Sequence, residues 1–173
     1  LKRVELLLAE CYANACIASE IARELGLDAR TRHDAKMGRD KVLKKVESLR
    51  RRLDRSSFII AVIDYEEGPM RALIDRNFEF KDVLFDGAVY IGVYKRDKRV
   101  LAVVFNPHVE GFLCKVAGRF CREEEQKIIK RGGVDRVCKE LSSTHADIGV
   151  KQVSRAISSL LENLTQHRRD TQL

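Results

Sequence analysis

Apolar positions along the chain switch repeatedly between a strand-like and a helix-like spacing. Val4 to Ala9 (VELLLA) is a short, nearly continuous apolar run, as expected of a buried strand. Ala13 to Leu25 then places Ala15, Ala18, Ala22 and Leu25 at helical spacing, and Gly26 follows as a stop. Ala29 to His33 reads as a second strand. Gly38 opens a second helix, with Val42, Val46, Leu49 and Leu53 recurring at i, i+4, i+7 and i+11. Phe58 to Ile63 (FIIAVI) carries no polar alternation, which is the pattern of a central parallel strand covered on both faces. After Gly68-Pro69 a short helix is predicted over Met70 to Ile74, because proline suits a first helical position.

Three strand-then-helix units in succession predict a parallel sheet with right-handed crossovers. The pattern changes at Ala88 to Tyr94 and Val100 to Phe105, two β-rich runs flanking the charged turn Lys95 to Arg99, which together read as a hairpin. Beyond Asn106-Pro107 helical pieces are predicted near Val109 to Val116, Glu123 to Lys130 and Val134 to Leu141. The last helix is the strongest: Val150, Val153, Ile157, Leu160, Leu161 and Leu164 form one stripe, suited either to packing on the sheet or to a homodimer interface.

The expectation is one α/β domain over 1–166, with a sheet core over 1–105, a helical C-terminal part over 106–166 and a frayed tail over 167–173. The 173 residues suffice for one full core, and 45% hydrophobic with 34% charged residues suits a globular fold with a heavily charged surface. No apolar run approaches the roughly 20 residues of a membrane span. With no signal-peptide pattern either, a cytoplasmic protein is expected. Cys11, Cys16, Cys114, Cys121 and Cys138 form no C-x-x-C pair, so most are expected to be core thiols rather than parts of a disulfide or zinc site.

Charge alters this picture by its placement. Of the net +7, the segment Arg30 to Arg55 holds eleven basic and four acidic residues, so its excess equals that of the whole chain. Lys41, Lys44, Lys45, Arg51 and Arg52 occupy the polar faces of the second helix. They form either an ordinary solvated surface or a track for an anionic partner.

Acidic residues follow the first and third strands: Glu10, then Asp64 with Glu66. Ligands of open parallel sheets bind beyond the carboxyl ends of the strands. If strands one and three are neighbours, as in flavodoxin-like orders, these carboxylates meet there. Their mutual repulsion would be offset by Mg²⁺ or Mn²⁺, an arrangement suited to phosphodiester chemistry. Asp64 read alone is more simply a helix cap; it is the pair of acidic strand ends in equivalent places that raises the site reading. Lys36 and Arg39, in the loop after strand two, would face a phosphate at the same edge, and with Lys41, Lys44 and Lys45 they make DNA or RNA the expected partner.

LLLAEC (Leu6 to Cys11) and VIDYE (Val62 to Glu66) resemble the Toprim fold of topoisomerases, primases and OLD-family nucleases, where a Glu follows the first strand and an Asp-x-Asp the third. NPHVEGFL (Asn106 to Leu113) is similar to the Pro-x-x-Glu segment of small stand-alone Toprim-like proteins. The resemblance implies a mostly parallel, Toprim-like sheet with helices on both faces and a helical C-terminal extension. It also implies Mg-dependent, nuclease-like phosphoryl transfer, with Glu10 as general base or metal ligand, Asp64 and Glu66 holding the ion, and Glu110 as a further candidate. Cys11 stands where a glycine is usual, Asn14 where an acidic residue often follows, and Glu66 in place of the second Asp. These departures leave open a nucleic-acid-binding module without turnover. A receiver-like domain with Asp64 as phosphoacceptor is a third reading.

Overall fold

The computed structural model describes residues 3–27, 30–33, 38–116 and 144–170, with the single positions 122 and 139. The helices expected at 123–130 and 134–141, the loop residue Lys36, and Cys121 and Cys138 lie outside the described residues.

Strand β1 (Arg3–Ala9) leads into helix α1 (Tyr12–Glu24). Helix α1 ends where Leu25 is followed by Gly26 in the left-handed region (φ 61°), whose N–H donates to Arg23 O while that of Leu27 donates to Ala22 O. These two bonds satisfy carbonyls the helix leaves open, in a backbone conformation that costs glycine nothing. Strand β2 (Arg30–His33) and helix α2 (Gly38–Arg50) follow, then β3 (Ser57–Asp64) and α3 (Pro69–Asn77). Strand β4 (Phe78–Leu84) and a 3-10 turn (Phe85–Gly87) lead to β5 (Val89–Tyr94), β6 (Val100–Phe105) and helix α4 (Val109–Val116). Helix α5 (Thr144–Asp170) closes the described chain.

The six strands form one sheet in the order β2-β1-β3-β6-β5-β4. Strands β2, β1, β3 and β6 are parallel, whereas β5 runs antiparallel to β6 and β4 antiparallel to β5. The α/β class and the adjacency of β1 and β3 agree with the sequence reading. The sheet is mixed, however: β5 and β4 are added through antiparallel pairings, so a flavodoxin-like order is not what the sheet as a whole adopts. Strand β4 was not anticipated, because Glu79, Lys81, Asp82 and Val83 are exposed on this edge strand and obscure its alternation. A register shift between Phe80 and Asp82 irregularises that edge, which hinders pairing with another chain.

Helices cover both faces. Leu7, Ile60, Val62, Leu101, Val103 and Phe105 pack beneath α1, α4 and α5. Leu8, Ile59, Ala61, Ile63, Ala102 and Val104 pack beneath α2 and α3. Every residue of β3 is buried, as its unbroken apolar run requires for a strand covered on both sides. Val150, Val153, Ile157 and Leu161 of the α5 stripe are buried in the first of these cores, so the chain itself covers them. Helix α5 continues through 167–170, past the point where fraying was expected.

The end of α2 is fixed by Arg99, whose guanidinium donates to Leu53 O (2.6 Å), Arg50 O (3.0 Å) and the Asp97 carboxylate (2.6 Å). Cys11 is a free thiol. Cys16 and Cys114 are both disulfide-bonded, against the expectation of core thiols. A bridge needs its two sulfurs close in space, about which sequence spacing is silent. No helix among the described residues is long and apolar enough to cross a membrane.

Candidate functional site

The parallel strands β1, β3 and β6 run side by side, and the chain leaves their carboxyl ends at one edge of the sheet. Glu10 follows β1, with its N–H donating to Val62 O (3.1 Å) as a last sheet contact. Asp64 is the final residue of β3, and Glu66 lies two residues on. Glu110 stands in the first turn of α4, the helix entered soon after β6. Arg39 is the second residue of α2.

Backbone N–H groups hold the carboxylates in place. Glu10 Oε2 accepts the Asp64 N–H at 2.9 Å, and Asp64 Oδ1 accepts the Val109 N–H at 3.1 Å. One strand end is therefore tied to the next, and the second to the amino end of α4, where partial positive charge favours an anion. Asp64 and Glu110 are buried, with only 6% and 5% of their surface exposed. Asp64 is held well above the ordinary aspartate range, first by burial and then by the charges of Glu10, Glu110 and Glu66.

Asn14, in the first turn of α1, is completely buried, and neither atom of its side-chain amide has a hydrogen-bond partner. It lies close enough to Asp64 to draw that carboxyl's pKa partly back down, without meeting hydrogen-bond geometry. A buried amide left unpaired costs roughly 1–3 kcal/mol. Beside it, Cys11 is pushed up to about 11, chiefly by burial, with Asp64 and Glu10 adding to a rise that the N–H groups of Asn14 and Ala13 oppose.

Arg39 enters this cluster rather than flanking it. Its Nε lies 3.5 Å from Glu10 Oε1, its Nη2 donates to Glu66 Oε2 at 3.1 Å, and its Nη1 donates to the Glu66 carbonyl at 3.5 Å. The Arg39 side chain is only 14% exposed. Among the described residues no group of three or more His, Cys, Asp or Glu is arranged to hold a metal ion.

Of the residues singled out in the sequence, Glu10, Asp64, Glu66, Glu110 and Arg39 thus meet at one edge. Lys41, Lys44 and Lys45 do not reach it. They are exposed along α2, with Lys44 3.8 Å from Asp40. His108 lies beside the cluster as well: Nδ1 is 3.3 Å from Glu110 Oε2 and accepts the Gly111 N–H at 3.3 Å. For Asn14 the available signal was a polar side chain beside the apolar positions Ala13, Ile17 and Ala18 of α1. For His108 there was none.

No family model matches the chain, and neither a curated protein nor a solved structure matches it.

Proposed function

We propose that Glu10, Asp64, Glu66 and Glu110 form a divalent-cation-dependent phosphoryl-transfer site, nuclease-like in its chemistry, that acts on DNA or RNA with Mg²⁺ or Mn²⁺. The observation that carries this reading is the convergence of three carboxylates, Glu10, Glu66 and Glu110, on buried Asp64, with the Arg39 guanidinium beside them. Such an excess of oxygen donors and negative charge suits a hard cation. Glu10, Asp64 and Glu110 would hold the ion, with Glu66 available once released from Arg39.

A bound Mg²⁺ or Mn²⁺ would polarise a phosphoryl oxygen and lower the pKa of a coordinated water. The chain's own groups do the rest. The Asp64 and Val109 N–H groups fix the carboxylates before substrate arrives. Arg39 offers a guanidinium at the site for forked hydrogen bonding to a phosphate. Lys41, Lys44 and Lys45 lead away along α2, where a rise of about 1.5 Å per residue carries them about 3 to 9 Å beyond Arg39. Three lysines and Arg39 contacting duplex phosphates would give a salt dependence of roughly −3 to −4 in log K against log salt.

The test is cleavage of DNA and RNA substrates with Mg²⁺ or Mn²⁺ by the wild type and by Glu10→Gln, Asp64→Asn and Glu110→Gln. Activity unchanged in all three variants removes the site. A second reading, nucleic-acid binding without turnover, is favoured by the engagement of Glu10 and Glu66 with Arg39. Salt-sensitive binding with no cleavage under either metal would establish it. The phosphoacceptor reading gains no support, because Asp64 is buried and one of its oxygens is already engaged by Val109.

A further inference from the structure

At the end of α1 remote from the acidic cluster, a cavity of about 350 Å³ opens between that helix and the middle of α5, lined by Glu24, Leu25, Lys151, Ser154, Arg155 and Ser158. The four α5 residues recur at i, i+3, i+4 and i+7, so one face of the helix brings two hydroxyls and two cations to it. Most of this lining is already engaged. Lys151 is paired with Asp147 at 2.7 Å, Glu24 lies 3.4 Å from Arg23 Nη2, and the Ser158 hydroxyl donates to Glu162 Oε1 at 3.5 Å. Two groups are not. Ser154 is only 4% exposed and its hydroxyl has no hydrogen-bond partner, while Arg155 has neither a hydrogen bond nor an ion pair among the described residues. Buried polar groups in folded proteins nearly always find a partner, so a hydroxyl without one beside an uncompensated guanidinium points to a ligand.

We propose that this cavity binds a small organic carboxylate, whose oxygens accept hydrogen bonds from the Ser154 hydroxyl and from the forked N–H groups of Arg155. Charge decides the class of ligand. With Lys151 and Glu24 each paired, the lining has one cation left over, which a single negative charge balances and a phosphate dianion exceeds. The planar guanidinium also matches the two oxygens of a carboxylate. Leu25 supplies an apolar wall for a short alkyl chain, and it is itself seated against the core. The volume lies at the small end of ligand cavities, which suits a molecule of a few carbons rather than a large cofactor. No residue of this site belongs to the acidic edge, so the inference stands or falls apart from the phosphoryl-transfer reading.

The experiment follows the full chain by ¹H–¹⁵N NMR during titration with butyrate at constant ionic strength, with inorganic phosphate as the rival class. The backbone amides of 151–158 and the Arg155 Nε–H should shift saturably with butyrate. Arg155→Gln should weaken binding at least about tenfold and Ser154→Ala at least about threefold. Arg155→Lys keeps the charge but loses the fork, and should remain at least about threefold weaker than the wild type. Arg76→Gln makes the same change in net charge as Arg155→Gln, but on α3, which packs on the opposite face of the sheet, and should alter affinity less than about twofold. Melting curves give a second readout. Ser154→Ala removes the unpartnered hydroxyl, so it should melt above the wild type without butyrate and gain less when butyrate is added. A lower melting temperature for Ser154→Ala shows that the hydroxyl is already satisfied and overturns the site. Wild-type affinity in Arg155→Gln, or phosphate binding at these residues as tightly as butyrate, overturns the carboxylate assignment. Absence of any saturable shift with butyrate overturns it as well.

Discussion

Gly149 offers the sharpest check on how α4, and with it Glu110, is held in place. It lies in the second turn of α5, where an added methyl would sit 2.6 Å from Val116 Cγ1, 3.1 Å from Val116 Cβ and 3.2 Å from Phe112 Cζ. Carbon atoms pack best at about 3.5–4.0 Å, so α5 or the end of α4 must retreat by about 1 Å. In an open helix Gly→Ala stabilises by about 1 kcal/mol. Overpacking a well-filled contact costs about 1–3 kcal/mol. With the clash deepest against Val116, the second effect should win, and Gly149→Ala should lose about 1 kcal/mol. Val116→Ala removes the offending γ carbons at a cost of about 1 kcal/mol for a partly buried side chain. In that background Gly149→Ala keeps its helix-propensity gain and should stabilise by up to about 1 kcal/mol, a coupling of about 2 kcal/mol. Urea unfolding of the four proteins, with an unchanged m-value, measures the cycle. Stabilisation by Gly149→Ala in the wild-type background, or additivity within about 0.5 kcal/mol, would refute this seating of α5 on α4. Because the Val109 N–H at the head of α4 binds Asp64, the clash should also lower any cation-dependent activity, and Val116→Ala should restore it.

Other perturbations bear on separate parts of the molecule. Asp64 has a folded-state pKa raised above its unfolded value, so the folded chain holds the extra proton between the two, and stability falls as pH rises through that window. Asp64→Asn keeps an oxygen for Val109 and removes the charge, so it should melt above the wild type at pH 8, with the advantage shrinking as pH falls towards the ordinary aspartate range. A lower melting temperature at pH 8 contradicts the assignment. With its thiol near 11, Cys11 should react with iodoacetamide at pH 8 at least about 100-fold more slowly in the folded than in the urea-unfolded chain, as followed by peptide mass spectrometry. Equal rates would place Cys11 in solvent. Arg99→Gln removes charge-assisted bonds to the last turn of α2 and leaves Asp97, whose side chain is only 10% exposed, without its guanidinium, at a cost of about 2–3 kcal/mol in thermal or urea unfolding. A loss below about 0.5 kcal/mol would show that this cap is idle.

Local pattern was enough for much of the fold. The apolar runs of β1 and β3, the helical spacing of α1, α2 and α5, the stop at Gly26 and the β5–β6 hairpin are all written in residues a few positions apart. Period and composition determine such elements because burial acts on the nearest neighbours along a strand or helix face. The positions of Glu10 and Asp64 followed as well, since a strand's end is a local property and the adjacency of β1 and β3 brings two such ends together. Strand β4 escaped because an exposed edge needs little apolar alternation, and its membership in the sheet is decided by β5.

Only the tertiary structure decided what surrounds those carboxylates. Arg39 was expected to face a substrate and instead reaches Glu66 across 27 positions of sequence. Val109 meets Asp64 across 45 positions. Asn14, three residues into α1, is stranded beside Asp64 by the packing of that helix on the sheet. The residue types that make an acidic edge, with a basic helix beside it, were therefore determined by the sequence alone. Which carboxylate is buried, which is tied to a guanidinium and which amide is left unpaired depends on close contacts between segments whose separation along the chain carries no trace of their proximity in space.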